Sequence, residues 1–287
     1  MTSKERITRI LSSETPDRVG IKDLFWDQTR AAWERHLGGR GLDAYFDFDI
    51  AAFNIDNDPT DSRLKEFFSN DNKDRFLVLS FSDPFQRYCE KAGPLKALED
   101  IGNDPGGVEA AFKEDLDQIL SRAIGILDKG YQFDGVWLFG DLAHDKGLFF
   151  SPEFYSKHLF GFHKEICYFF ASYGIPTILH SDGNIRRLIP QLIMAGFRAL
   201  HPVAYSAGLD IKELKREYKS AVAFFGNFDM DIFRIPREAL TELIPAHLEV
   251  CKEGGGYIFG LDSPLSPNTN IDDYKFILDL VKEHGRY

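Results

Sequence analysis

The sequence predicts an α/β chain, a single (β/α)8 TIM barrel spanning residues 1–287. Short apolar runs, most of them four to six residues rich in β-branched and aromatic side chains, recur eight times. Helical patterns separate them, and no long polar linker divides the chain, which favours one closed parallel barrel over two domains. The competing fold, a doubly wound open sheet, lacks the GxGxxG that would follow its first strand.

The runs place strands at Val19–Lys22, Asp49–Phe53, Phe76–Phe81, Gly135–Phe139, Pro176–Leu179, Ala199–Leu200, Ala221–Phe225 and Tyr257–Phe259. Helices are predicted over Phe25–Leu37, Gly107–Lys129, Pro152–Tyr173, Ile185–Ala195, Ile211–Tyr218, Pro236–Cys251 and Asp272–His284. Ser151-Pro152-Glu153 is a cap followed by proline at the first helical position, and Gly174 and Gly196 are helix stops. Asn57–Lys73, rich in Asp and Asn, reads as a long surface loop.

Composition narrows the function. A net charge of −11 without a Lys/Arg cluster argues against nucleic acid. No stretch approaches the roughly 20 apolar residues of a membrane span, and the N-terminus opens on an amphipathic helix, not a signal core, so the expected location is the cytoplasm. Cys89, Cys167 and Cys251 show no CxxC spacing, and the last two lie in helical patterns as packing residues.

Barrel active sites lie where the strands end. The residues at those ends are Asp23 with Trp26, Asn54 with Asp56, Ser82 with Asp83, Asp141 with His144, His180 with Asp182, His201, Asn227 with Asp229, and Asp262 with Ser263. In His180-Ser181-Asp182-Gly183-Asn184, alternation along an extended strand puts His180 and Asp182 on one side, suited to a divalent metal or an acid–base pair. The plainer reading is a satisfied histidine beside a turn-forming aspartate. Gly226-Asn227-Phe228-Asp229 offers close backbone approach and polar groups, or simply a hydrogen-bonded loop. Gly254-Gly255-Gly256 precedes a strand and not a helix, so it is weak evidence for phosphate binding, and no GxSxG elbow supports serine catalysis.

Taken in order, Lys4-Glu5-Arg6-Ile7, Thr15-Pro16-Asp17-Arg18-Val19, Tyr45-Phe46-Asp47-Phe48-Asp49, Gly147 with Ser151-Pro152-Glu153, His180-Ser181-Asp182-Gly183-Asn184, Gly226-Asn227-Phe228-Asp229 and Gly255-Gly256-Tyr257-Ile258 resemble the uroporphyrinogen decarboxylase superfamily. The resemblance covers nearly the whole chain. It implies a barrel that is either a decarboxylase or a zinc-dependent methyltransferase serving corrinoid or thiol carriers. The decarboxylase branch has an arginine-rich segment after its first strand, whereas Asp23–Arg30 here is acidic and aromatic. Strand ends carrying Asp23, Asp141, Asp182 and Asp262 would repel a polyanionic tetrapyrrole. The methyltransferase branch holds zinc with His-x-Cys and a later Cys. Matched to that motif, His180 keeps the histidine, Asp182 replaces the first cysteine, and Ser263, beside Asp262, replaces the second.

The resemblance therefore implies a metal-assisted methyltransferase acting on a small methylated substrate. His180, Asp182 and Asp262 hold a divalent metal, zinc among the candidates, and Asp182, Asp141 and His201 are catalytic. Asp23, Trp26, Asn54, His144, Asn227, Asp229 and Ser263 bind substrate. A partner protein supplies the corrinoid, and a homodimer is expected. The alternatives are a carboxy-lyase acting on a smaller substrate and a non-catalytic barrel that binds a corrinoid protein.

Overall fold

The computed structural model describes residues 1–56, 60–69 and 72–287. Strands alternate with helices in chain order as β1 (Gly20–Ile21), β2 (Ile50–Asn54), β3 (Phe76–Ser82), β4 (Gly135–Phe139), β5 (Thr177–His180), β6 (Ala199–His201), β7 (Ala223–Phe225) and β8 (Tyr257–Phe259). The fold class is the expected α/β, a (β/α)8 barrel. Two compact units share the chain, Met1–Ala51 with Pro202–Tyr287 and Ala52–His201, and the backbone passes from one to the other within β2.

In the 52–201 unit the strand order is β2-β3-β4-β5-β6. The ladder β3 to β6 is parallel, and its register sets Ser82 beside Phe139, Phe139 beside His180 and His180 beside His201. The C-terminal ends of four neighbouring strands are thereby level, the arrangement that lets side chains from different strands converge. Val78, Leu79, Trp137, Leu138, Ile178 and Leu179 are fully buried, which is why these strands read as continuous apolar runs.

The polar stretch expected as a loop contains a helix, Asp61–Phe67, capped by Thr60 and anchored by buried Leu64. Leu64, Phe67 and Phe68 stand at i, i+3 and i+4, with Phe67 5.1 Å from Phe53 and Phe68 stacked on Tyr131 at 4.9 Å, an apolar face that the surrounding Asp, Asn and Ser residues mask in sequence. Residues 57–59 and 70–71 of that stretch lie outside the described residues. Between β3 and β4 run three helices, Pro84–Ala92, Pro94–Asn103 and Pro105–Asp128, each opening on proline. Ser151 caps the next helix as expected, its Oγ accepting from Phe154 N at 3.1 Å. That helix widens into a π-turn over Tyr155–Leu159 before continuing as Phe160–Ala171. Such turns concentrate at functional or strained places. Here Tyr155 and His163 share a buried hydrogen bond of 3.0 Å, and His163 meets Asp83 at 2.9 Å.

In the other unit β1, β8 and β7 pair in parallel, and Phe25, Trp33, Phe46, Phe48 and Tyr274 form an aromatic cluster. Asp49, fully buried, accepts from Arg6 and Arg18 at 2.7 Å and from Ile21 N at 2.8 Å, so this interior charge is paired. Among the described residues no helix is long and apolar enough to cross a membrane.

Candidate functional site

His180 closes β5, Asp141 follows β4, and Asp182 is the second residue of the loop beyond His180. His180 Nε2 lies 3.6 Å from Asp141 Oδ1 and 3.8 Å from Asp182 Oδ1. Among the described residues these three form the group whose ligand atoms all lie within 4.8 Å of one another. The side chains are 12 % exposed at His180, 43 % at Asp141 and 57 % at Asp182, so the cluster opens to solvent on its acidic side.

The two loops that present these groups are stitched together. Leu142 N donates to Ser181 Oγ at 2.9 Å, Asp182 N to Asp141 Oδ1 at 3.0 Å, and Asn184 N to His144 O at 3.0 Å. Gly183, at φ +78°, sits where a Cβ would lie 2.5 Å from the Ala143 carbonyl carbon, so only glycine allows this approach. Asn184 Oδ1 also accepts from Arg186 N at 3.1 Å.

His201, at the end of β6, is 4 % exposed, and its Nδ1 lies 2.7 Å from His180 Nδ1. One of the two rings must donate and the other accept, so neither gains from a second proton at that contact. Burial drives the His180 pKa down to about 4, with Asp141 opposing the shift. Burial, then His180, holds His201 well below the ordinary histidine range. Both imidazoles are neutral at pH 7. Between pH 6.5 and 4 the unfolded chain takes up protons that the folded site refuses, so stability falls with pH across that window. The loss from His180 is about 3 kcal/mol. Urea unfolding at pH 7 and 4.5 should show it, and the double variant His180→Gln/His201→Gln should lose most of that dependence.

The cluster's chemistry suits a divalent cation. Distances of 3.6 and 3.8 Å are too long for N–H···O hydrogen bonds, yet near the roughly 3.4 Å expected between two ligands of a tetrahedral zinc. One neutral imidazole and two carboxylates form a harder set than a thiolate site, acceptable to zinc and to harder ions. Asp262, expected as a ligand, belongs to the other unit. There its carboxylate accepts from Ser206 Oγ at 3.1 Å and Met230 N at 3.3 Å, and Asp141 completes the converging trio.

The remaining sequence-predicted residues divide by environment. Asn54, exposed, bonds Asp56 through its side chain and lines a cavity with Asp141 and His180. His144 is an exposed hairpin residue whose Nδ1 accepts from Lys146 N. Trp26 and Ser263 are exposed, and Asp229 caps the short helical turn Met230–Arg234. Two expected binding residues are buried and hydrogen-bonded to distant parts of the chain, and Asn227 also lines a cavity with Asp229. Asp23 is buried, accepting from Tyr274 OH and Leu261 N at 2.6 Å each. Asn227 is buried at φ +68°, its amide donating to Val203 O and Leu209 O at 2.6 Å each. Polar groups whose partners come from distant chain positions cannot be told from ligand-facing groups by sequence. Conversely, Ser80, Gln86 and Glu90 line the cavity beside Asp141 and were missed. Asp83 followed by Pro84 marks the helix start that puts Gln86 and Glu90 on one face, the signal that could have found them.

The family model for uroporphyrinogen decarboxylase (URO-D) matches residues 109–284, more than half of the chain. Uroporphyrinogen decarboxylases of Chlamydia trachomatis serovars D and A are 23% identical over 170 residues, 59% of this chain and 49% of theirs. The matched chain thus spans about half the length of these curated relatives. Among solved structures, a methyltransferase from Methanosarcina mazei superposes with a TM-score of 0.75 at 15% identity, over 99% of both chains. An AP endonuclease of family 2 from Brucella melitensis gives 0.51 at 13% identity, over 90% of this chain and 96% of that one. At such identities the likeness is one of fold. The family match does not depend on it, and it shows that this chain belongs to the uroporphyrinogen decarboxylase (URO-D) family.

Proposed function

We propose that the chain is a methyltransferase that works with one divalent cation, zinc or a harder ion, held by Asp141, His180 and Asp182. The supporting observation is the convergence of one neutral imidazole and two carboxylates at the ends of neighbouring strands. When bound, the cation supplies Lewis-acid polarisation of the methyl acceptor or leaving group. The chain's own residues prepare the site. His201 fixes the plane of the His180 ring and shares a proton with it between the two Nδ1 atoms. The Asp182 backbone N–H orients the Asp141 carboxylate, and Ser82 and Gln86 present polar groups to the substrate. The methyl carrier is a corrinoid or thiol brought by a partner protein.

Protein purified without added metal is expected to hold about one divalent ion per chain, lost in Asp182→Ala and in Asp141→Ala. Methyl transfer to or from methylcobalamin should fall at least about 100-fold in both variants. Wild-type turnover in Asp182→Ala, or indifference to chelators, would overturn the reading. A second reading, decarboxylation of a substrate smaller than a tetrapyrrole, draws on Asp262. Burial and the Asp229 charge push its carboxyl up to about 6, so a fraction is protonated at neutral pH and can serve as an acid. Chelator-resistant release of carbon dioxide, abolished by Asp262→Asn, would select it.

A further inference from the structure

We infer that the substrate is a small organic ammonium with an apolar body, its cationic head paired with Glu90. The inference takes the Asp141–His180–Asp182 cluster as the reacting centre and so rests on the reading above.

Two cavities of about 270 and 430 Å³ share Gln86, Glu90 and Asp141 as lining residues. The smaller is polar, walled by Asn54, Asp56, Ser80 and Ser82, and includes His180. The larger is apolar, walled by Phe85, Pro94, Leu98 and Phe149. The smaller volume falls below the roughly 300 Å³ at which drug-sized sites begin, so it admits a head group, and the body belongs in the apolar chamber.

Charge decides what kind of head. Among the described residues, no lysine or arginine lines either cavity. Asp56 is matched by Arg87 at 3.1 Å, and Asp115 behind it by Arg87 and Lys91. A cation at the cluster would match Asp141 and Asp182. Glu90 has no such partner: it accepts from Ser82 Oγ and Gln86 Nε2 at 3.2 Å, both through Oε1, and forms no ion pair among the described residues. Ser80 adds an observation independent of charge. It is 6 % exposed, lies two residues from Ser82 on the same face of β3, and lines the polar chamber. Its hydroxyl has no hydrogen-bond partner among the described residues. A hydroxyl that faces a cavity without a protein partner is free to bond a ligand atom.

A carboxylate or phosphate entering this chamber would lose water and meet Glu90 with no cationic side chain in return, which specific sites avoid. An ammonium gains an ion pair with Glu90, a hydrogen bond to Ser80 Oγ, and the apolar wall for its body. The skeleton is set by the second chamber, where Phe85 and Phe149 favour a planar or branched hydrocarbon group.

The test uses full-length protein as purified and three probes of one size: benzylamine, benzyl alcohol and benzoate, titrated by NMR at pH 7. Benzylamine, protonated at that pH, should bind tightest and benzoate weakest, with at least about a 5-fold gap at each step. Glu90→Gln should weaken benzylamine at least about 5-fold while leaving benzyl alcohol, metal content and melting temperature unchanged. Benzoate binding as tightly as benzylamine, or an unchanged benzylamine Kd in Glu90→Gln, would sink the inference. Metal analysis of the same samples separates the two proposals. Metal-free protein that prefers benzylamine defeats the cation reading alone, and metal-loaded protein without that preference defeats the ammonium inference alone.

Discussion

Replacing Gly183 by alanine is expected to unfold the candidate site and to lower stability by about 3 kcal/mol or more. Two costs add at this position. The backbone at φ +78° lies in the left-handed region, which costs any residue with a Cβ about 1 kcal/mol. The new methyl would also lie 2.5 Å from the Ala143 carbonyl carbon and 2.6 Å from His144 N, both backbone atoms that cannot rotate away. The loop must therefore lift, breaking the bonds from Leu142 N to Ser181 Oγ and from Asp182 N to Asp141 Oδ1. Gly130 provides the control, because it has a similar φ of +82° and a methyl added there would meet nothing within 4 Å. Thermal unfolding and metal content of Gly183→Ala and Gly130→Ala, side by side, isolate the close approach. Equal losses in the two variants would show that the loops are not held together as described.

Asp23→Asn should change the sign of its effect with pH. Burial pushes the Asp23 carboxyl up to about 7, against hydrogen bonds from Tyr274 and Leu261 N that favour the charged form. Its folded value thus stands above the ordinary 3.8. The stability linked to this group is fully present below pH 3.8 and is lost as pH rises through 7, a swing of about 4 kcal/mol. Asparagine keeps an acceptor for Leu261 N and has no charge to desolvate. The melting temperature of the variant relative to wild type should therefore rise by about 5 °C or more between pH 5 and pH 8. At pH 5 the variant should be no more stable than wild type, and at pH 8 it should be the more stable protein. A difference that does not move with pH would show that Asp23 is ionised throughout this range.

Much of the fold was legible because buried parallel strands announce themselves. Gly135–Phe139 was read with the bounds it has, and Tyr257–Phe259 likewise, since apolar β-formers in each are flanked by glycine. The helix at Asp61–Phe67 was read as loop because its polar residues outweighed a short apolar face, Leu64, Phe67 and Phe68, that spans only one turn. At the site, alternation along an extended strand was the reason for pairing His180 with Asp182, whereas the strand ends at His180 and the loop brings Asp182 beside it. The structure separates the aspartates in a way that the sequence does not. Asp23, Asp141 and Asp262 look alike in sequence, each following an apolar run, but Asp23 turned inward to Tyr274 and Asp262 bonded to Ser206, while Asp141 faces His180. That difference lies in partners far away along the chain, beyond what a window of neighbours contains.

The division of the chain into one continuous unit and one assembled from both ends has a consequence for synthesis. Residues 52–201, with Asp141, His180 and Asp182 among them, leave the ribosome as a complete set. The first 51 residues do not find their own unit until the last 86 have been made. Asp23 waits for Leu261, 238 residues later, which at ribosomal speeds is roughly 10–50 s. Throughout that interval β1 has no β8 to pair with, and the aromatic side chains of Phe25, Trp33 and Phe46 lack Tyr274. Residues 1–51 are therefore open to chaperones and to misassembly during that interval, and substitutions that make them more apolar should lower the yield of folded protein before they alter its final stability.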